Sequence, residues 1–204
     1  MAYNKLSTAL LGTLALTASC AAFAADEKPL MSGAGAGMLA HGCTGCHGTD
    51  GASAGPATPS ISGISAVYFA ETMNRFKSGE RKSTIMGRIA AGYSEDEIKA
   101  LGEYFSKQSF VAANQPSDEK LAQQGAKLHK KYCEKCHGDG GTSREDDAGI
   151  LAGQPTTYLR YTIADFKAGD RDMPKKMKAQ FNRILKREGD AGVEALLNFY
   201  AQSK

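Results

Sequence analysis

Residues 133–137 read Cys-Glu-Lys-Cys-His, and ninety positions earlier residues 43–47 read Cys-Thr-Gly-Cys-His. The register extends well beyond these strings. At the same offset Gly63 meets Gly153, Tyr68 meets Tyr158, and Phe76, Lys77, Gly79 and Arg81 meet Phe166, Lys167, Gly169 and Arg171. Upstream, Met31, Gly35 and Met38 fall on Leu121, Gly125 and Leu128. One gapless offset serving so many positions marks a duplicated unit, and its period is too long for a solenoid. The boundary falls in Ala112-Ala113-Asn114-Gln115-Pro116-Ser117, where proline and short polar residues interrupt two helical patterns. The first unit is therefore expected over 26–112 and the second over 113–204.

Both units read as helical at their ends. In the second, Ser117 is placed to cap a helix with Asp118 and Glu119 in its first turn. Leu121, Gly125, Leu128 and Tyr132 then share one face, and the glycine among them permits close approach of another helix. Ser94 and Glu97 have capping-box spacing ahead of Ile98, Leu101 and Phe105. Val193, Leu196, Leu197 and Tyr200 form a similar stripe near the end of the chain. No segment alternates with period two, so the expected class is all-α. With 42% apolar and 23% charged residues the chain is globular. A formal charge of +3 does not suggest a nucleic-acid binder, and no apolar run is long enough to span a bilayer.

The Cys-x-x-Cys-His strings carry the chemistry. They are the pattern of covalent c-type haem attachment. Two thiols add across the vinyl groups of the porphyrin, and the adjacent histidine turns its imidazole onto one face of the iron. A unit of this size with so much glycine has a small apolar core, which a buried macrocycle would complete. Structural zinc fits poorly, because the two pairs lie 87 residues apart, each in its own repeat. A thiol–disulfide oxidoreductase would need alternating strands and helices, and plain disulfides leave both histidines unexplained. Two covalent haems c are expected, on Cys43, Cys46 and His47 and on Cys133, Cys136 and His137.

The sixth iron ligand must come from elsewhere in each unit, and a methionine suits electron transfer. Met73 lies in a helical-looking stretch and reads as core. Met86 follows the loop Ser78-Gly79-Glu80-Arg81, 39 residues after His47, and is the expected ligand. In the second unit the strict partner of Met86 is Lys176, so Met177, one residue further, is preferred over Met173. His41 and His129 precede their motifs and read as surface or helix-face residues. Arg81, Arg171, Tyr68 and Tyr158 occupy equivalent places, where they would serve either as donors to haem propionates or as determinants of the fold. Lysines 127, 130, 131 and 135 cluster ahead of the second motif, and Lys175, Lys176 and Lys178 surround Met177. Such runs are usually solvated faces, though here they would steer an acidic partner.

The first 25 residues read as a secretory signal peptide: a basic start ending at Lys5, an apolar stretch from Leu6 to Ala18, and small residues ending in Ala22-Phe23-Ala24. Its removal leaves 24 basic and 22 acidic residues, and a protein working in the periplasm.

The duplicated unit with a downstream methionine resembles the periplasmic dihaem class I cytochromes c. Arg75-Phe76-Lys77-Ser78-Gly79-Glu80, STIMGRIA (83–90), GAKLHKKYCEKCH (125–137) and LAGQ (151–154) are most similar to the cytochrome subunit of flavocytochrome c sulfide dehydrogenase. LAGQ also resembles the free two-haem carriers. The resemblance implies two tandem class I cytochrome c domains and axial ligands at His47, His137 and Met86. It also implies a partner subunit carrying FAD, which would oxidise sulfide and pass electrons through this chain to a soluble acceptor. No catalytic site is then expected on this chain. The competing reading is an independent dihaem carrier feeding a terminal oxidase or reductase. A peroxidase would need an open sixth position, against which the methionines argue.

Overall fold

The computed structural model describes residues 33–145 and 148–202. The expected signal peptide lies outside these residues. The first half of the chain forms α1 (Ala36–His47), a 3₁₀ turn (Thr49–Gly51), α2 (Ala66–Ser78), α3 (Met86–Ala91) and α4 (Glu95–Ser106). The second forms α5 (Glu119–Tyr132), the short α6 (Gly138–Gly141), α7 (Thr156–Ala168) and α8 (Lys175–Ala201). There is no strand among the described residues, and the all-α expectation holds. In the first bundle α4 packs on α1 and α2, and α3 packs on α2. In the second, α8 packs on α5 and α7. Each bundle has its own apolar core, one around Ile98, Leu101 and Phe105 and one around Val193, Leu196 and Leu197. Both stripes read from the sequence are therefore buried, and each fully buried large side chain contributes about 1.5–3 kcal/mol.

The duplication is visible in the backbone. Ile61 and Ser62 donate their N–H groups to the carbonyl of Gly51, as Leu151 and Ala152 donate to Gly141. Gly63 N–H bonds Phe105 O at 2.8 Å, and Gly153 N–H bonds Tyr200 O at 2.8 Å. These two glycines sit at φ 66° and 80°, a left-handed backbone that other residues adopt only with strain. The last pair equates Phe105 with Tyr200, an offset of 95 where the haem motifs are offset by 90. The second unit thus gains length before its terminal helix. That length merges the counterparts of α3 and α4 into the 27-residue α8, which is broken only at Gly189 (φ 61°, ψ −153°).

The helix starts follow local chemistry. Ser94 and Glu97 form the expected capping box: the serine hydroxyl accepts from Glu97 N–H at 3.2 Å, and Ser94 N–H donates to the Glu97 carboxylate at 2.8 Å. The expected cap at Ser117 is corrected by one residue. Asp118 is the cap, its carboxylate accepting from Leu121 N–H at 2.8 Å. Its own N–H is held by Asn198 of α8 at 2.7 Å, which leaves Asp118 outside the helix, and a carboxylate complements the helix dipole there. Gly125 provides the close approach expected of it. A Cβ at this position would lie 2.0 Å from the carbonyl oxygen of Ala195, so α5 and α8 touch backbone to backbone.

The bundles meet through buried polar groups. Ser60 N–H donates to the Gln154 side-chain carbonyl, and the Gln154 amide returns a bond to Ser60 O, both at 2.9 Å. Both residues are buried, so the exchange satisfies groups that water cannot reach. The segment expected to link the units lies along the second bundle: Ala113 N–H bonds Gly153 O, and Gln115 bridges Gln154 and Thr156.

Candidate haem sites

Each Cys-x-x-Cys-His string follows or ends the first helix of its bundle. Cys43, Cys46 and His47 lie in the last turns of α1, while α5 stops at Tyr132 and Cys133 is its C-cap. The four cysteines of the two strings are free thiols, so neither pair forms a disulfide. Burial pushes the thiol of Cys43 up and that of Cys133 up to about 11. Among the described residues no group of three or more histidine, cysteine or carboxylate side chains gathers as a metal site.

The second bundle holds a cavity of about 400 Å³, in the size range of ligand clefts. Cys133, Cys136, His137 and Met177 all line it, with Leu159, Ile163, Phe166, Phe181 and Ile184 among its apolar walls. Met177 reaches it from the first turn of α8. Met173 precedes that helix and is not among the lining residues. Two thiols, an imidazole and a thioether around an apolar space of this size fit a covalently held macrocycle with iron at its centre.

In the first bundle His47 is buried, and its Nδ1 lies 2.8 Å from the carbonyl oxygen of Pro59. A carbonyl only accepts, so Nδ1 carries the proton and Nε2 keeps its lone pair. Burial lowers the histidine pKa and holds the ring neutral, as a metal ligand must be. Met86 opens α3, half-buried, and borders the same apolar core as Cys43. Met73 lies inside that core, 5% exposed, as expected of a packing residue. The Pro59 carbonyl was not foreseen, because a backbone acceptor leaves no side-chain signature.

One further expectation is revised, and one that stood between two readings is narrowed to a role in the fold. His41 is exposed, but His129 is 1% exposed and sits between α5 and α8. Its Nδ1 lies 2.9 Å from the Tyr200 hydroxyl. The Glu134 carboxylate approaches Nε2 to 2.6 Å but out of line for a ring N–H bond. The equivalent residue of the first unit is Leu39, also packed on its core, so the position faces inward in both copies. The repeated arginines and tyrosines pair with each other. Arg81 donates to the Tyr158 hydroxyl at 3.4 Å and Arg171 to the Tyr68 hydroxyl at 3.5 Å. Neither Tyr158 nor Arg171 lines the second-bundle cavity.

Comparison with known proteins agrees with this architecture. A family model described as "Cytochrome c" matches residues 32–109. One described as "Cytochrome C oxidase, cbb3-type, subunit III" matches residues 120–184. The chain is 30% identical over 203 residues to the thiosulfate dehydrogenase electron acceptor of Stutzerimonas stutzeri (strain A1501), covering 94% of this chain and 93% of that protein. It is 45% identical over 47 residues to the cytochrome subunit of sulfide dehydrogenase of Chlorobaculum tepidum, covering 23% of this chain and 43% of that one. The fold is that of reduced recombinant cytochrome c4 from Pseudomonas stutzeri, with a TM-score of 0.69 at 24% identity over 84% of this chain and all of the other. Among the described residues no helix is long and apolar enough to cross a membrane. The tandem bundles, the attachment strings and the full-length relationship place this chain in the family of the Stutzerimonas thiosulfate dehydrogenase electron acceptor, as a two-domain, class I-like cytochrome c that binds c-type haem.

Proposed function

We propose that this chain is a periplasmic electron acceptor of a sulfur-compound dehydrogenase, carrying two covalent haems c and passing electrons to a soluble acceptor. Bound through Cys43 and Cys46, and through Cys133 and Cys136, haem supplies a one-electron iron couple in each bundle. Oxidation of a sulfur anion releases electrons in pairs, which two such sites accommodate. His47 and Met86 would hold the first iron, His137 and Met177 the second. Met177 is chosen over Met173 because it lines the same cavity as His137. A histidine–methionine pair raises the potential and closes the iron to small molecules, which suits transfer rather than catalysis.

The observation that carries the pathway is the alignment with the Stutzerimonas thiosulfate dehydrogenase acceptor along nearly the whole of both chains. It favours thiosulfate dehydrogenase as the donor. A second reading keeps the donor suggested by the sequence resemblance, an FAD-containing sulfide dehydrogenase subunit, and rests on the shorter match to the Chlorobaculum protein. The discriminating experiment is native purification from the host, flavin analysis of whatever co-elutes, and reduction of the cytochrome by thiosulfate or by sulfide with the co-purified dehydrogenase. Thiosulfate-dependent haem reduction without flavin supports the first reading. Sulfide-dependent reduction with a stoichiometric flavoprotein supports the second. Reduction by neither, with no co-eluting partner, leaves an independent carrier.

A further inference from the structure

A second cavity, about 510 Å³, lies beside the first and is lined by Lys131, Tyr132, Arg183, Lys186 and Arg187. Tyr132 lines both spaces, so this cleft abuts the wall of the proposed second haem site. We propose that it is the docking cleft for a redox-partner protein that presents clustered carboxylates. The inference rests on the haem-bearing reading above and assigns the second unit as the end of the molecule that meets an acidic partner.

The cleft is built by the length that distinguishes the second unit from the first. Arg183, Lys186 and Arg187 fall in the extended part of α8 at spacings of three and four residues, so they share one face. Lys131 meets them from α5, with its ammonium 5.2 Å from the centre of the Tyr132 ring. All four cations are exposed, and among the described residues none is paired with a carboxylate. Like charges at such spacing destabilise a helix, so the arrangement opposes the fold and calls for an anionic surface. At the corresponding place in the first unit the chain is shorter and carries one cation where the second carries three: at the offset of 95, Arg88 stands opposite Arg183, but Ala91 and Gly92 stand opposite Lys186 and Arg187. Gly42 stands where Tyr132 does, and the Tyr93 hydroxyl lies 3.5 Å from where its Cβ would be.

The field is wider than a small anion needs. Residues 175–187 contain six basic side chains and no acidic one, and Lys135 and Lys176 line the proposed haem cavity itself. Residues 113–204 carry 16 basic against 13 acidic side chains, while residues 26–112 carry 8 against 9. A one-sided field of this kind orients an acidic partner before contact and raises the association rate by roughly 10–10³ at low salt.

The test is calorimetric titration of the natively purified holoprotein with poly-L-glutamate at low salt, against the triple variant R183E/K186E/R187E. A neutral variant, R183Q/K186Q/R187Q, stands in should charge reversal disturb folding, and unchanged helicity and haem spectra qualify either one. The expected result is binding that weakens by about tenfold or more in the variant and falls with salt in the wild type. Equal weakening by K99E/K107E, which alters exposed lysines of the first bundle, would overturn the proposal by showing non-specific attraction. Saturable displacement of poly-L-glutamate by sulfate, beyond the effect of chloride at the same ionic strength, would overturn it in favour of a small-oxyanion pocket. A normal haem spectrum with no binding sinks this inference alone, whereas a protein without haem sinks the reading beneath it.

Discussion

Arg81 of the first bundle donates to the phenolic oxygen of Tyr158 in the second, at 3.4 Å. The residues that repeat them, Arg171 and Tyr68, make the reverse contact at 3.5 Å. The duplication has therefore been used twice, once to build two similar bundles and once to join them by a reciprocal pair. Each guanidinium also lies 4.6 Å from the ring centre of its own bundle's phenylalanine, Phe76 or Phe166, which fixes its direction across the joint.

This joint predicts an unusual titration. Burial opposes ionisation of Tyr158, yet the guanidiniums of Arg81 and Arg171 outweigh it and pull the phenol below the ordinary tyrosine range. A phenol with a depressed folded pKa adds stability that is fully present above its unfolded value, about 10, and is lost as pH falls through the folded value. Near-ultraviolet titration should therefore show one tyrosine ionising ahead of the others. Arg81→Gln should return it to the main group. Tyrosines that all ionise together in the wild type would contradict the charge pairing.

Gly125→Ala should destabilise the second bundle. A methyl group 2.0 Å from Ala195 O forces α5 away from α8, and overpacking of this kind costs about 1–3 kcal/mol. Thermal unfolding of the holoprotein reads the loss. Gly37→Ala, where a Cβ makes only an ordinary 3.6 Å contact with the Tyr104 ring, should not lower stability.

Gln154→Leu should loosen the joint without emptying a core. It strands the buried N–H and carbonyl of Ser60, at a cost of about 1–3 kcal/mol for each unsatisfied group. The expected outcome is denaturant unfolding that changes from one transition to two, as the bundles lose their coupling. A single transition with an unchanged midpoint would show that the exchange contributes nothing.

Met177→Ala should remove the weak near-infrared band of methionine-ligated ferric haem from the second bundle, and Met86→Ala that from the first. Met173→Ala should leave the band intact, because Met173 does not line the cavity that His137 and Met177 share. Loss of the band in the Met173 variant alone would reverse the assignment.

Much of this architecture was legible because duplication compares the chain with itself. The common offset revealed two units, the Gly125 stripe announced the α5–α8 contact, and Ser94 with Glu97 announced a helix start. The inward position of His129 was also encoded, since the same register places Leu39 there, but a histidine's polarity masks that signal. The cap moved from Ser117 to Asp118 because Asn198, eighty residues away, holds the Asp118 N–H. An offset states which residues are equivalent and not which ones touch, so the pairing of Arg81 with Tyr158 had no signature in one chain. The Lys131 and Arg183 cleft was half visible: Lys131 belongs to a plain basic run, but Arg183, Lys186 and Arg187 drew no notice in the sequence, and their convergence with Lys131 depends on how α8 crosses α5.

Both Cys-x-x-Cys-His strings should carry haem. Intact-mass spectrometry of the natively purified chain under denaturing conditions, combined with the pyridine haemochrome spectrum, tests this most directly. The polypeptide mass should be raised by two haems that survive denaturation, with the spectrum of thioether-linked haem c. A mass raised by one haem, or by none, would contradict it.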